Sequence, residues 1–161
     1  MFAPMLALSL ALAAATGAPP RDDQAAVVAP LETVEKLWGD GTSTEGGAAA
    51  ADGSILFSDI GDRIMRFHPD TGETAVFREP SHRANGMIFD ARGRLIVAEG
   101  ANTGGGRRIS ITGQDGKCRT LVDRYKGKRF NSPNDVAVDR KGRIYFTDPR
   151  YVGDEPRDLD F

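Results

Sequence analysis

A single cysteine, Cys118, excludes any disulfide within the chain, and as a small residue on a predicted outer strand it is expected to be buried. Histidine is almost as scarce. His68 and His82 stand in no metal-binding spacing, and Ser43, Ser58, Ser81 and Ser132 lie in no G-x-S-x-G turn, so serine nucleophile chemistry has no sequence support. His68 is read as a solvated turn residue, and His82 as part of a loop on the polar face. There is no basic surplus: the formal net charge is −2 and the pI about 5.7, which leaves no electrostatic footprint for nucleic acid. Lys126, Lys128 and Arg129 form a local basic cluster, read as a solvated crossing loop. Between Glu45 and Pro149 no ten-residue stretch has helical periodicity, which points to an all-β chain.

Long apolar runs are also missing, apart from Met5 to Gly17. That run is shorter than the roughly 20 residues a helix needs to cross a bilayer, and it suits the core of a signal peptide. Ala13 and Ala15 fit a small-x-small cleavage pattern, with Thr16 and Ala18 as a second match, although Met1 to Pro4 holds no Lys or Arg. The expectation is a signal peptide over 1–18, a linker over 19–30 and a folded region over 31–161. The protein would then be periplasmic or secreted, with no membrane attachment after signal removal.

What the chain does contain is an internal repeat. A polar residue stands eight positions before a turn glycine and fourteen before an acid in Glu45/Gly53/Asp59, Asn85/Gly93/Glu99 and Asn134/Gly142/Asp148. Apolar runs on either side of each glycine make the unit a hairpin. Its antiparallel strands place the opening residue and the closing acid at the same end, so all three copies present polar groups on one face. The glycines recur at intervals of roughly 40 to 50 residues, the range of four-stranded propeller blades. Third and fourth strands are expected at Arg63 to Phe67 and Thr74 to Arg78, and again at Arg107 to Ile111 and Cys118 to Asp123. The fold class is therefore an all-β propeller, with about two and a half four-stranded blades present. Closed propellers hold about four to eight blades, so the chain is read as the N-terminal part of a longer protein.

In a propeller the first strand of each blade lies nearest the axis, so Glu45, Asn85 and Asn134 are expected to converge at one mouth of the channel. Loops Pro80 to Ala84 and Lys126 to Pro133 would deliver two of them. The glycine-rich connection from Gly100 to Gly106 should lie on the same face, where a loop can move. A carboxylate beside two amides is an oxygen-rich set without soft donors, which suits Ca²⁺, with Mg²⁺, Mn²⁺ and Zn²⁺ as alternatives. Glu45 could equally cap a strand start, and Asn85-Gly86 could be a turn pair. Pro133 restricts the geometry with which the chain enters Asn134. Asp59, Glu99 and Asp148 are expected to accept backbone donors in the turns that follow them, with Glu99 also a candidate substrate contact.

Thr44-Glu45-Gly46, Phe57-Ser58-Asp59, Asn85-Gly86, the run from Gly127 to Asp135 and Ile144-Tyr145-Phe146-Thr147-Asp148-Pro149 together resemble the gluconolactonase branch of the senescence-marker-protein, gluconolactonase and luciferin-regenerating-enzyme superfamily. The resemblance runs from about Leu37 to Tyr151. It implies a six-bladed propeller, a divalent cation, commonly Ca²⁺, at one mouth, and hydrolysis of a small lactone or ester. Glu45 is similar to the family's first-blade carboxylate ligand and Asn134 to its third-blade amide ligand, with Asn85 a substrate-binding candidate. The family's catalytic aspartate would lie beyond Phe161, so no catalytic residue is assigned here and the chain alone is expected to have little activity. Gly47 stands where the family often has proline. Repeats of the NHL type share the Asp-x-x-Gly-x-Ile-Tyr-Phe-x-Asp pattern, and a binding platform without chemistry is the alternative. The sequence assigns neither an oligomeric state nor the particular lactone.

Overall fold

The computed structural model describes residues 34–101, 104–151 and 157–159. The expected signal peptide and linker lie outside the described residues. Contacts divide the chain into a first unit, Met1–Glu35, of which only Val34 and Glu35 are described, and a second, Lys36–Phe161. The following concerns the second unit.

Strands β1 (Thr44–Ala49), β2 (Ile55–Asp59), β3 (Arg63–His68) and β4 (Glu73–Arg78) form one antiparallel meander. A second comprises β5 (Ala84–Phe89), β6 (Leu95–Glu99), β7 (Arg108–Thr112) and β8 (Cys118–Val122). A third begins with β11 (Val136–Val138) paired to β12 (Ile144–Phe146). These are two blades and the inner hairpin of a third, as the repeat predicts. Turn glycines Gly53, Gly93 and Gly142 adopt φ of +83°, +70° and +77°, a conformation that costs an L-residue about 1–2 kcal/mol. Register confirms that each opening residue sits beside its closing acid: Thr44 pairs Asp59, and Ala84 pairs Glu99.

Two expectations are corrected. The connection after β8 is not a bare loop, because β9 (Arg124–Tyr125) and β10 (Lys128–Arg129) fold back as a short hairpin. Cys118 is exposed rather than buried. All five residues of β8 are exposed, since this strand lies at the outer edge of its sheet, hydrogen-bonded to β7 on one side.

The core explains why β6 reads as a continuous apolar run. Leu95 and Val97 point to blade one and join Leu56, Ile64, Ala84 and Met87, while Ile96 and Ala98 point the other way and join Ile109 and Val136. Blade two is thus packed on both faces. Full burial of each such aliphatic side chain contributes about 1.5–3 kcal/mol.

Inner strands of successive blades also meet directly. A β-bulge interrupts the register between Glu45 and Ala48 in blade one, and between Ala84 and Met87 in blade two. Glycine occupies the bulge in each case because there is no room for more. A Cβ on Gly46 would lie 2.1 Å from the Asn85 carbonyl oxygen, and one on Gly86 2.3 Å from Asp135 Oδ1 and 2.9 Å from the Asn134 carbonyl oxygen. Ser58 Oγ donates to the Asn85 carbonyl at 2.6 Å, and Gly86 N–H to the Asn134 carbonyl at 2.7 Å. Main chain touching main chain is what draws the three leading positions together. Bulges of this kind re-aim a side chain, here toward the mouth.

Candidate functional site

Glu45, Asn85 and Asn134 line one cavity of about 290 Å³. Arg83, Ile60, Gly100, Ala101, Ser132, Pro133 and Tyr151 complete its wall. Three polar residues, 40 to 49 positions apart in sequence, therefore face one space, as their equivalent positions in the repeat predict. Glu45 is exposed and both asparagines are half-buried, while the Ser132-Pro133 and Gly100-Ala101 segments behind them are buried. Among the described residues the Glu45 carboxylate and the Asn85 and Asn134 side-chain amides have no hydrogen-bond or ion-pair partner. Neighbouring polar groups are heavily engaged, so the contrast marks these three as available to a ligand.

Arg83 was not singled out by the sequence reading. Its backbone has φ +62°, beside His82 at +58°, and its guanidinium donates to the Ile60 carbonyl at 3.0 Å. The spacing Arg-x-Asn was the one available signal, but only the strained turn brings the cation into the wall. His82 lies outside that wall, and its carbonyl accepts the Gly106 N–H.

Glu99 is also placed elsewhere. It is fully buried and receives Arg78 at 3.0 Å and Arg108 at 2.6 Å, so its carboxylate is an internal ion-pair centre and not part of the cavity lining. The other two closing acids, Asp59 and Asp148, hold the loops that precede their hairpins rather than the turns that follow. Asp59 Oδ1 accepts the Thr42 and Ser43 N–H groups at 2.9 and 3.3 Å, and Asp148 Oδ2 accepts the Asn131 N–H at 2.8 Å. Burial raises the Asp148 carboxyl above the ordinary range, outweighing the Asn131 and Ser132 backbone donors and the Arg107 charge. At Asp59 burial acts in the same direction, but Arg63 and the Thr42 and Ser43 donors prevail and hold the carboxyl low.

The cavity's chemistry fits a hard cation. Its lining offers one carboxylate, two amide oxygens and a serine hydroxyl, with no histidine or cysteine. Among the described residues no group of three or more His, Cys, Asp or Glu side chains is placed to hold a metal, so any ion here depends on the amides. A larger space of about 480 Å³, between β8, the β9–β10 hairpin and β12, is lined by Val122, Tyr125, Phe130 and Phe146 with Arg124 and Asp148. It lacks a comparable set of convergent oxygen donors.

Residues 43–159 match the family described as SMP-30/Gluconolactonase/LRE-like region. The chain belongs to this family. Over 111 residues it is 38% identical to the gluconolactonase of Zymomonas mobilis subsp. mobilis, covering 60% of this chain and 30% of that protein. The solved structure of the gluconolactonase XC5397 from Xanthomonas campestris is 38% identical, with a TM-score of 0.64 over 70% of this chain and 37% of that one. A structural-genomics target with a provisional gluconolactonase description is 29% identical, with a TM-score of 0.65 over 76% of this chain and 45% of its own. The chain thus spans less than half the length of each of these relatives. The propeller organisation seen in the two blades is that of the family.

Proposed function

We propose that the cavity at the mouth is part of a metal-dependent lactone-hydrolysing site, with Glu45 and Asn134 as ligands of a divalent cation, Ca²⁺ before Mg²⁺, Mn²⁺ or Zn²⁺. The observation that supports this most is the convergence, from three equivalent strand starts, of three oxygen-bearing side chains that have no partner among the described residues. A platform built only to bind a macromolecule has no need to leave these positions open in register. Family membership and the gluconolactonase relatives favour a small lactone or related ester as substrate.

A cation at this mouth supplies Lewis acidity, polarising the lactone carbonyl and stabilising developing oxyanion charge. Glu45 contributes the formal negative charge and Asn134 a neutral carbonyl oxygen, held where Pro133 limits the backbone. Asn85 can both donate to and accept from a hydroxylated substrate. Arg83, anchored on Ile60, adds a fixed positive charge to the wall. Ser132 Oγ accepts the Ala101 N–H at 2.9 Å, tying the Gly100-Ala101 wall to the loop that bears Asn134.

With one carboxylate in the cavity, the described residues supply too little charge for tight binding and no general base. The 161-residue chain is therefore expected to bind Ca²⁺ weakly and to hydrolyse gluconolactone little or not at all. A form extended to the length of the relatives is expected to show calcium-dependent hydrolysis. Lactone hydrolysis by the two forms, with and without chelator, tests this. Equal rates from both, or a rate in the longer form that chelator leaves untouched, would overturn the reading.

A further inference from the structure

Blades one and three share a device that blade two lacks. Asp59 accepts N–H groups three and two residues before Glu45, from Thr42 and Ser43. Asp148 Oδ2 accepts the corresponding N–H group three residues before Asn134, from Asn131 at 2.8 Å. Each acid closes the neighbouring strand of the same hairpin, so it staples the leading loop just upstream of the residue that faces the cavity. In blade two the loop before Asn85 is held differently. Arg83 N–H and Ser81 Oγ go to Asp62 of blade one, both at 3.3 Å, and Glu99 turns to Arg78 and Arg108. Arg63 and Arg108 occupy equivalent cross-strand positions against Asp59 and Glu99, so the arginine is common and the staple is the difference.

We infer that Asp59 and Asp148 are positioning residues, which fix the approach of Glu45 and Asn134 to a shared cation without touching it. The inference rests on the reading of those two residues as ligands. An aspartate suits the role because its short side chain turns back onto the leading loop, taking two consecutive N–H groups at Asp59 and one at Asp148, and a charged acceptor makes those bonds stronger than neutral ones. A glutamate in its place overshoots the loop by one methylene and reaches the arginines. A ligand residue preorganised in this way loses less freedom when the ion binds.

The test compares Asp59→Asn and Asp148→Asn with Glu99→Gln, a variant at an acid of blade two as buried as Asp59. Ca²⁺ affinity is measured by calorimetry, together with the melting temperature in chelator and hydrogen exchange at the Ser43 and Asn131 amides. Expected is a tenfold or greater loss of affinity and faster exchange at Ser43 in Asp59→Asn, and at Asn131 in Asp148→Asn. Glu99→Gln should lower the melting temperature while leaving affinity within threefold. Unchanged affinity in both aspartate variants, or an equal loss in Glu99→Gln, overturns the inference. Should Asp59→Asn fail to fold, Thr42→Pro removes one stapled N–H from an exposed position and is expected to weaken Ca²⁺ binding in the same direction; unchanged binding counts against the staple. If the parent chain binds no Ca²⁺, the ligand reading itself falls, and exchange at Ser43 and Asn131 still decides the staple: unaltered protection refutes it.

Discussion

The two ends of the same sheets handle their carboxylates in opposite ways. At the turn end, Asp52, Asp90, Asp115 and Asp139 each find their partners within six residues, chiefly N–H groups of the turn and, for the last three, an arginine four positions on. At the mouth end, Asp59 and Asp148 reach 16 or 17 residues back, and Glu99 reaches 21 back to Arg78. Three other polar side chains there, Glu45, Asn85 and Asn134, have no side-chain partner among the described residues and line a cavity. Local closure makes each turn self-sufficient. Long-range closure instead spends its donors and acceptors on placing the loops that carry Glu45 and Asn134.

The largest test of that contrast uses glycine. Gly86→Ala at the mouth forces a Cβ against Asp135 and the Asn134 carbonyl, whereas Gly142→Ala at the turn end meets no atom within 4 Å and suffers only from its φ of +77°. Urea unfolding is expected to show a loss of about 3 kcal/mol for the first, from overpacking. For the second the expected loss is about 1–2 kcal/mol, the left-handed backbone cost alone. Equal losses would mean that the inner strands do not need their close approach.

Glu45→Gln separates ligand binding from stability. Ca²⁺ affinity should fall by about tenfold or more, which is about 1.4 kcal/mol. Stability in chelator should stay within about 0.5 kcal/mol, as for a surface site without partners. A large loss of stability without calcium would assign Glu45 to capping its strand instead.

The smallest effect is read by carboxyl titration. At Asp90 burial pushes the carboxyl upward, but the Arg94 guanidinium and the Arg94 and Arg92 N–H groups prevail and hold it low. Asp139 is lowered first by the Arg143 N–H, then by its side chain and the Lys141 N–H against a burial penalty. Stability from these two is fully present above the unfolded value of about 3.9 and is lost as pH falls through their lower folded values. Asp148 runs the other way because burial raises it. Its contribution is fully present below the unfolded value and is lost as pH rises through the higher folded one. Carbon-detected NMR should therefore find Asp148 protonating at higher pH than Asp90 or Asp139, and the reverse order would break the comparison.

Much of the fold was legible because it is local and repeated. Gly53, Gly93 and Gly142 announce turns that only a left-handed residue makes easily, and alternating apolar runs on both sides set the register. The convergence of Glu45, Asn85 and Asn134 followed from their equal offsets from those turns. What the pattern could not show was where buried charge goes. Glu99 occupies the same repeat position as Asp59 and Asp148, yet one added methylene and a neighbouring Arg78 send it into an ion-pair cluster. Arg83 enters the cavity wall through a pair of left-handed residues with no glycine to signal them. Cys118 was misplaced because alternation along β8 says nothing about whether a further layer covers it.

The stitching of one inner strand to the next decides what the asparagines can give away. The main-chain oxygen of Asn85 already receives Ser58 Oγ, and that of Asn134 receives Gly86 N–H, so both carbonyls are turned along the rim toward an adjoining blade. A guest in the chamber is left with the amide heads alone. Exchanging either asparagine for aspartate would therefore retune the charge offered to that guest while the seam between the blades stays sewn.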